Sequence, residues 1–513
     1  MSPLARLRPL ALALSMACSM QSLGVQAQVN PQRLPNIGDG NGISLAQERR
    51  LGESIMRQLV TDADYLDDPV LVAYLQDVWL LLRDAAKQIG NLPPELDEAF
   101  AWELLVVRDK SVNAFALPGG YMGVHLGLIA AVSNRDELAS VMGHELSHVT
   151  QRHIARMQDQ QGRQTPWVVG AMILGVLAAS RSPDTANALI MGGSAGVAQG
   201  QLNFSRDMER EADRLGFNVM TQAGFAPQGM VGMFQKLSQA SRLNDSGGYP
   251  YLRSHPLTTE RMGDMQSRIG LKDPVPLATT VLHQMMAARS RFLMARGVDD
   301  VQALSLALER DWTADMPMTR QVSLLYAGAM AYAQQGQAAK ARDALTRLLA
   351  LTHADPDGLR AAQWLAADTE RRLGNPHTCV QALNKHPSDR PRVLLLAQCQ
   401  LDMKQSAMAK DAIDALQGWV AEHPRDSLAW ELAAQALNQI GDPMRALRFD
   451  AEAQAVRWNE SGAIDRLRAA QNLSKSLAKA GQLDRAGNLE SSIIDARLRA
   501  LESVRRELLR PQN

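Results

Sequence analysis

Covalent cross-links are scarce in this sequence: 513 residues carry three cysteines, Cys18, Cys379 and Cys399. Cys18 falls in an apolar N-terminal stretch that reads as a leader, so the mature chain can hold one intramolecular disulfide at most, Cys379 to Cys399. An oxidising compartment would permit that bond, and on facing helices it would staple them together. Charge of one sign is also missing. Lys plus Arg number 54 and Asp plus Glu number 54, which leaves no basic stripe for nucleic acid and no charged coat for a membrane surface. Long apolar runs are absent too: Leu10 to Met20 and Trp167 to Ala179 both fall short of the roughly 20 residues that span a bilayer.

What the N-terminus does contain fixes an expected destination. Arg6 and Arg8 precede the apolar stretch, and Val25-Gln26-Ala27 ends in the small residue that signal peptidase prefers. Residues 1–27 therefore read as a cleaved signal peptide, with the mature chain starting near Gln28. A lipoprotein anchor through Cys18 is opposed by Ser15, which stands where an aliphatic residue belongs. Loss of Arg6 and Arg8, with no acid among the first 27 residues, leaves a net charge of about −2. The chain is long enough for two to four domains.

The chemistry is concentrated in His144-Glu145-Leu146-Ser147-His148. Helical positions four apart differ by only about 40° around the axis, so both imidazoles point at one spot, where a metal ion can sit. Glu145 lies about 60° from His148 on the same side, placed to take a proton from an activated water rather than to ligate. Leu138, Val141, Met142, Leu146 and Val149 recur at helical spacing behind an acidic first turn, Asp136-Glu137, so the pentapeptide belongs to a half-buried amphipathic helix.

A catalytic metal site needs a third protein ligand. His153, nine residues after His144, would fall on the opposite face if the helix continued. A better source is Glu209-Arg210-Glu211-Ala212-Asp213, in a second amphipathic helix marked by Met208, Ala212, Leu215 and Val219 and ending near Gly224. Glu209 and Asp213 share a face, whereas Glu211, about 200° round, is expected to point to solvent or to a surface partner.

These two helices, in this order, resemble the HtpX-like gluzincin metallopeptidases of family 48, whose pattern is His-Glu-x-x-His followed after an insertion by Glu-x-x-Ala-Asp. The resemblance implies one Zn2+ per chain, held by His144, His148 and Glu209, with Glu145 as general base and Asp213 orienting a ligand histidine. It extends to Asn113 through Val124, which looks like the family's hairpin beside the active site. By its own residues that segment reads the same way: Trp102 to Val107 has strand character and Pro118-Gly119-Gly120 marks a turn. Either an extended substrate pairs with a free strand edge there, or the hairpin is simply packed. His125 reads as structural.

Further on, Ser254-His255-Pro256-Leu257-Thr258-Thr259-Glu260-Arg261 looks like a His-Pro segment of periplasmic members of the family. His255 is expected to act as a latch, filling the fourth metal position and preventing water activation; the competing reading is ordinary packing. The interval 167–200 is a buried core helix, a membrane-interface surface or a mobile plug, the last favoured by Met191-Gly192-Gly193-Ser194-Ala195-Gly196.

From about Gln321 to Arg497 the texture changes to Ala- and Leu-rich helical periods. Turn signals at Gly336, Gly374, Lys404, Gly441 and Gly481 share one frame with a small helix residue five positions later, as in tetratricopeptide repeats, whose stacked helix pairs form a solenoid with a concave binding face. A plain helical bundle is the alternative. The expected fold is mainly α: a zincin-like metallopeptidase domain with a small sheet over 44–275, a helical connector over 276–318 and repeats over 319–510. This combination resembles the barrel-assembly-enhancing type of the family. That resemblance implies a periplasmic protein, with peripheral membrane contact allowed but not required, that promotes assembly of outer-membrane barrel proteins and degrades stalled ones, in contact with the barrel assembly machinery and the lipopolysaccharide transport protein LptD. A non-proteolytic chaperone or adaptor working through its repeats is the other reading.

Overall fold

The computed structural model describes residues 43–160, 205–242, 249–269, 280–384 and 388–508. The leader at 1–27 and the interval at 167–200 lie outside them. The first helix, α1 (Leu45–Leu59), opens on a capping box in which Ser44 and Gln47 satisfy each other's backbone N–H groups. A two-residue strand β1 (Tyr65–Leu66) leads to α2 (Pro69–Gln88), where Asp68 caps the N-terminus and Pro69 takes the position that needs no N–H. After α3 (Pro94–Ala99) come β2 (Glu103–Val107), β3 (Ala114–Leu117) and β4 (Tyr121–His125).

The sheet order is β1-β2-β4-β3. β2 and β4 run parallel, and β3 returns antiparallel on β4 through the expected turn, where Gly119 and Gly120 take φ of 79° and 86°. This leaves β3 at the edge of the sheet, packed beside the helix that carries the His-Glu-x-x-His sequence. That helix, α5 (Arg135–Thr150), follows α4 (Leu126–Ala131) and is capped by the Asn134 side chain on Glu137 N–H. Short α6 (His153–Gln160) follows at once. The second predicted helix is α7 (Arg206–Gln222), capped by Ser205, with Gly224 beyond it at φ 86°. Then come α8 (Gln228–Arg242), α9 (Tyr251–Ser254) and α10 (Thr259–Ile269).

Two helices, α11 (Val281–Met294) and α12 (Val298–Asp311), lead into helix pairs: α13 (Met318–Gln334) with α14 (Ala338–Thr352), α15 (Pro356–Arg372) with α16 (Pro376–Leu383), α17 (Arg390–Asp402) with α18 (Ser406–Glu422), α19 (Ser427–Gln439) with α20 (Pro443–Val456), and α21 (Glu460–Lys479) with α22 (Arg485–Leu508). The architecture is mainly α with one small sheet and a helical repeat region. Every turn read from the sequence has left-handed backbone: φ is 72° at Gly336, 80° at Gly374, 54° at Lys404, 79° at Gly441 and 67° at Gly481. Cys379 on α16 and Cys399 on α17 are disulfide-bonded. No helix among the described residues is long and apolar enough to cross a membrane.

One apolar core runs without a break from Val70 in α2 through the sheet, α5, α7 and α11 to Cys399 in α17. At its centre Arg289 of α11 donates to both Asp68 oxygens at 2.8 and 2.7 Å and reaches the Tyr326 hydroxyl of α13 at 3.2 Å. Lesser clusters stabilise the later repeats.

Candidate metal centre

Helix α5, read from its sequence as half-buried, is instead buried at every position from Glu137 to Thr150, so its polar residues there face protein rather than water. His144, Glu145 and His148 are each at most 2% exposed. Such burial needs partners, since an unpaired polar group in the interior costs several kcal/mol, roughly 2–7. The partners come from α7, which crosses α5 at a contact between two glycines. A Cβ placed on Gly216 would lie 2.9 Å from His144 N and 3.0 Å from the Gly143 carbonyl carbon. With no side chain at either position the helix backbones approach closely, and the first turn of α7 delivers Glu209 to the histidines.

Four side chains converge. The Nε2 atoms of His144 and His148 are 2.9 Å apart. Glu209 places Oε2 3.5 Å from His144 Nε2 and Oε1 3.4 Å from His148 Nε2. His255, just beyond α9, brings Nδ1 within 3.3 Å of His144 Nε2 and 2.9 Å of Glu209 Oε1. The four ligand atoms all lie within 4.8 Å of one another. A tetrahedral zinc site with bonds of about 2.0–2.1 Å has edges of about 3.4 Å, so these separations and the N, N, O, N donor set fit a metal of that kind.

The electrostatics agree. Burial works against protonation of His144, but Asp213 and Glu209 outweigh it and push its pKa up to about 10. Burial holds His148 well below its ordinary value. Glu209 and Asp213 stay low despite burial, the first through His255 and His144, the second through Arg261 and His144. Two buried carboxylates facing His144 favour positive charge at this point, which a divalent ion would supply in place of a proton. Glu145 differs. Burial raises its pKa against the pull of His255, His144 and the Tyr251 hydroxyl, and His255 Nε2 comes within 3.4 Å of Oε1.

Asp213 Oδ1 lies 2.9 Å from His144 Nδ1, so that nitrogen donates and Nε2 turns its lone pair inward. Asp213 is itself gripped by Arg261, whose Nε and Nη2 donate at 2.6 and 2.8 Å while Nη1 reaches Glu209 Oε2 at 2.7 Å. No local pattern marks this arginine's role, because its partners lie about 50 residues away on another helix. Tyr251, stacked on His255 with ring centroids 4.6 Å apart, was equally invisible.

Two expectations are corrected. His153 does not sit on the far face of the His144 helix, because α5 stops at Thr150 and Arg152 adopts φ 52°, turning the chain back. The His153 ring returns to the site, Nδ1 lying 2.8 Å from His148 Nδ1. Glu211 does not face solvent: its side chain is 15% exposed and meets His153 Nε2 at 3.0 Å and Arg156 Nη1 at 2.8 Å. These contacts carry its pKa, against burial, down to about 2. His125 is structural, buried beside Ser111 Oγ at 2.9 Å.

Comparison with known proteins bears on the same residues. Residues 81–269 match the model of peptidase family M48. Over 94% of its length the chain is 30% identical to a provisionally named beta-barrel assembly-enhancing protease of Vibrio cholerae, covering 95% of that protein. It is 28% identical to the beta-barrel assembly-enhancing protease of Escherichia coli K12, over 92% of this chain and 91% of that one. The mitochondrial metalloendopeptidase OMA1 of Arabidopsis thaliana is 34% identical over 36% of each chain. The chain is a metallopeptidase, and it belongs to family M48 among the beta-barrel assembly-enhancing proteases.

Proposed function

We propose that the chain is a periplasmic zinc metalloendopeptidase that promotes assembly of outer-membrane barrel proteins and degrades those that stall, and that His255 holds it in check at rest. The observation that carries the reading is the convergence of His144, His148 and Glu209 on one buried point with the carboxylate of Glu145 beside it. His144, His148 and Glu209 would hold a Zn2+, which would supply Lewis acidity toward a peptide carbonyl and toward a water. Glu145, made more basic by burial, takes the proton of that water and returns it to the leaving amine. Asp213 holds the His144 tautomer. Edge strand β3, alongside α5, has no strand on its outer side among the described residues and would pair there with an extended substrate, which favours unfolded segments.

The latch reading draws support from both ring nitrogens of His255. Nδ1 lies among the ligand atoms and Nε2 faces Glu145, so one side chain would fill the fourth position and cover the base. Export to the periplasm rests on the leader at 1–27. The repeats at 319–510, read as tetratricopeptide repeats, would present stalled barrel proteins and contact the barrel assembly machinery and LptD, with the helices at 276–318 joining them to the peptidase domain at 44–275.

The test compares wild type, Glu145→Gln and His255→Ala for zinc content and for cleavage of an unfolded barrel protein. Glu145→Gln is expected to keep its zinc and lose about 10²–10⁴-fold in rate, and His255→Ala to cleave faster than wild type. Cleavage by the Glu145→Gln, His255→Ala double variant as fast as by His255→Ala alone would sink the hydrolase reading. Barrel assembly that survives Glu145→Gln undiminished in cells would assign that duty to the repeats as a chaperone or adaptor.

A further inference from the structure

We propose that His153 is the positioning residue for His148, fixing its tautomer and ring orientation, and that Glu211 and Arg156 fix His153 in turn. The inference rests on the reading of His144, His148 and Glu209 as metal ligands. An imidazole that turns the Nε2 lone pair toward a metal carries its proton on Nδ1, so His148 Nδ1 is a donor. The atom 2.8 Å away is Nδ1 of His153. Two facing ring nitrogens need one donor and one acceptor, which makes His153 Nδ1 the acceptor and puts its own proton on Nε2. That nitrogen lies 3.0 Å from Glu211 Oε2, an acceptor, and Arg156 Nη1 holds the same oxygen from 2.8 Å. The opposite assignment fails at both ends. It would set His148 Nε2–H against the metal and a His153 lone pair against a carboxylate.

Both ligand histidines are then held by one formula, a carboxylate clamped by an arginine. For His144 the pair is Asp213 and Arg261, in direct contact. For His148 the pair is Glu211 and Arg156, acting through the His153 ring. The backbone is bent to allow it. Left-handed φ is unfavourable at a residue with a side chain, and Arg152 takes it, its guanidinium anchored on Glu48 at 2.8 Å. Without that bend His153 would point away from His148.

The experiment uses the full chain, with Zn2+ alone and then Co2+ as probes. It measures metal affinity by competition with a chromophoric chelator and the visible absorption of the cobalt form. Circular dichroism melts of the metal-free forms show which variants fold. His153→Asn sets an amide oxygen near the position of Nδ1, where it accepts from His148; His153→Gln sets its amide near Nε2; His153→Leu fills space only. Removing an outer partner of a ligand histidine costs about 10–100-fold in metal affinity, so His153→Gln and His153→Leu are expected to lose that much while His153→Asn stays within about threefold of wild type. The cobalt spectrum of His153→Asn is expected to match wild type and that of His153→Leu to differ. Wild-type affinity in His153→Leu, or equal losses in His153→Asn and His153→Leu, would overturn the assignment. No metal uptake by wild type would instead overturn the metal reading itself, and this assignment with it.

Discussion

Gly143 and Gly216 decide how near the helices that carry His144, His148 and Glu209 can lie. Alanine at 216 gains up to about 1 kcal/mol of helix propensity, yet its Cβ would stand 2.9 to 3.1 Å from backbone atoms of Gly143 and His144, which have no rotamer to escape through. Overpacking of that kind costs about 1–3 kcal/mol, so the clash wins and α7 must shift outward, taking Glu209 and Asp213 with it. Gly216→Ala is expected to lower both the melting temperature and zinc affinity, and a variant that melts higher and binds zinc as tightly as wild type would contradict this. The case also shows what could be read from residues alone. The side chains at 144, 145, 148, 209 and 213 are set by spacing within two helices, so their common faces were visible in the sequence. The glycine crossing, Arg261 and the return of His153 depend on where separate segments meet and on a left-handed Arg152. No local pattern carries that information.

Among the elements, the repeats were the easiest to place, because each turn needs left-handed backbone and four of five spend a glycine on it. Lys404 is the exception, and it was legible only through its register with the others. What the register did not reveal was which helices face each other. Cys379 and Cys399 lie on successive helices, α16 and α17, 20 positions apart, and closing a loop of that size contributes about 3 kcal/mol, mainly by restricting the unfolded chain. Both sulfurs are fully buried, where free thiols pack as small apolar groups, so the loss on reduction should be close to that figure. Cys379→Ala with Cys399→Ala, or wild type in reductant, is expected to unfold at lower denaturant concentration. An unchanged midpoint would show that packing alone sets the stability of this pair of repeats.

At the scale of the whole molecule, the peptidase region and the first repeats share one core, and α11 is the seam. His283 on α11 is buried there, its Nδ1 2.7 Å from the Tyr74 hydroxyl of α2 and its Nε2 3.0 Å from the Val132 carbonyl. The neutral ring satisfies both, accepting from Tyr74 and donating to Val132. Burial depresses its pKa to about 4, with Lys236, Arg291 and Arg135 adding to the effect. An unfolded chain takes up this proton near pH 6.5, before the folded chain does. Between about pH 6.5 and 4 the unfolded state therefore binds more protons, and stability falls as pH falls through that window. A depression of this size corresponds to roughly 3 kcal/mol by the acid end. His283→Gln keeps a donor for Val132 and does not titrate. Urea unfolding at steps from pH 7 to pH 4 should show the wild type losing stability faster than the variant by about that amount. Because the core is continuous, fluorescence from Trp79 and Trp102 on the peptidase side and from Trp364 in the repeats is expected to report one shared transition. Parallel pH slopes for the two proteins would show that His283 already titrates normally in the folded chain, and would remove the seam from any account of acid sensitivity.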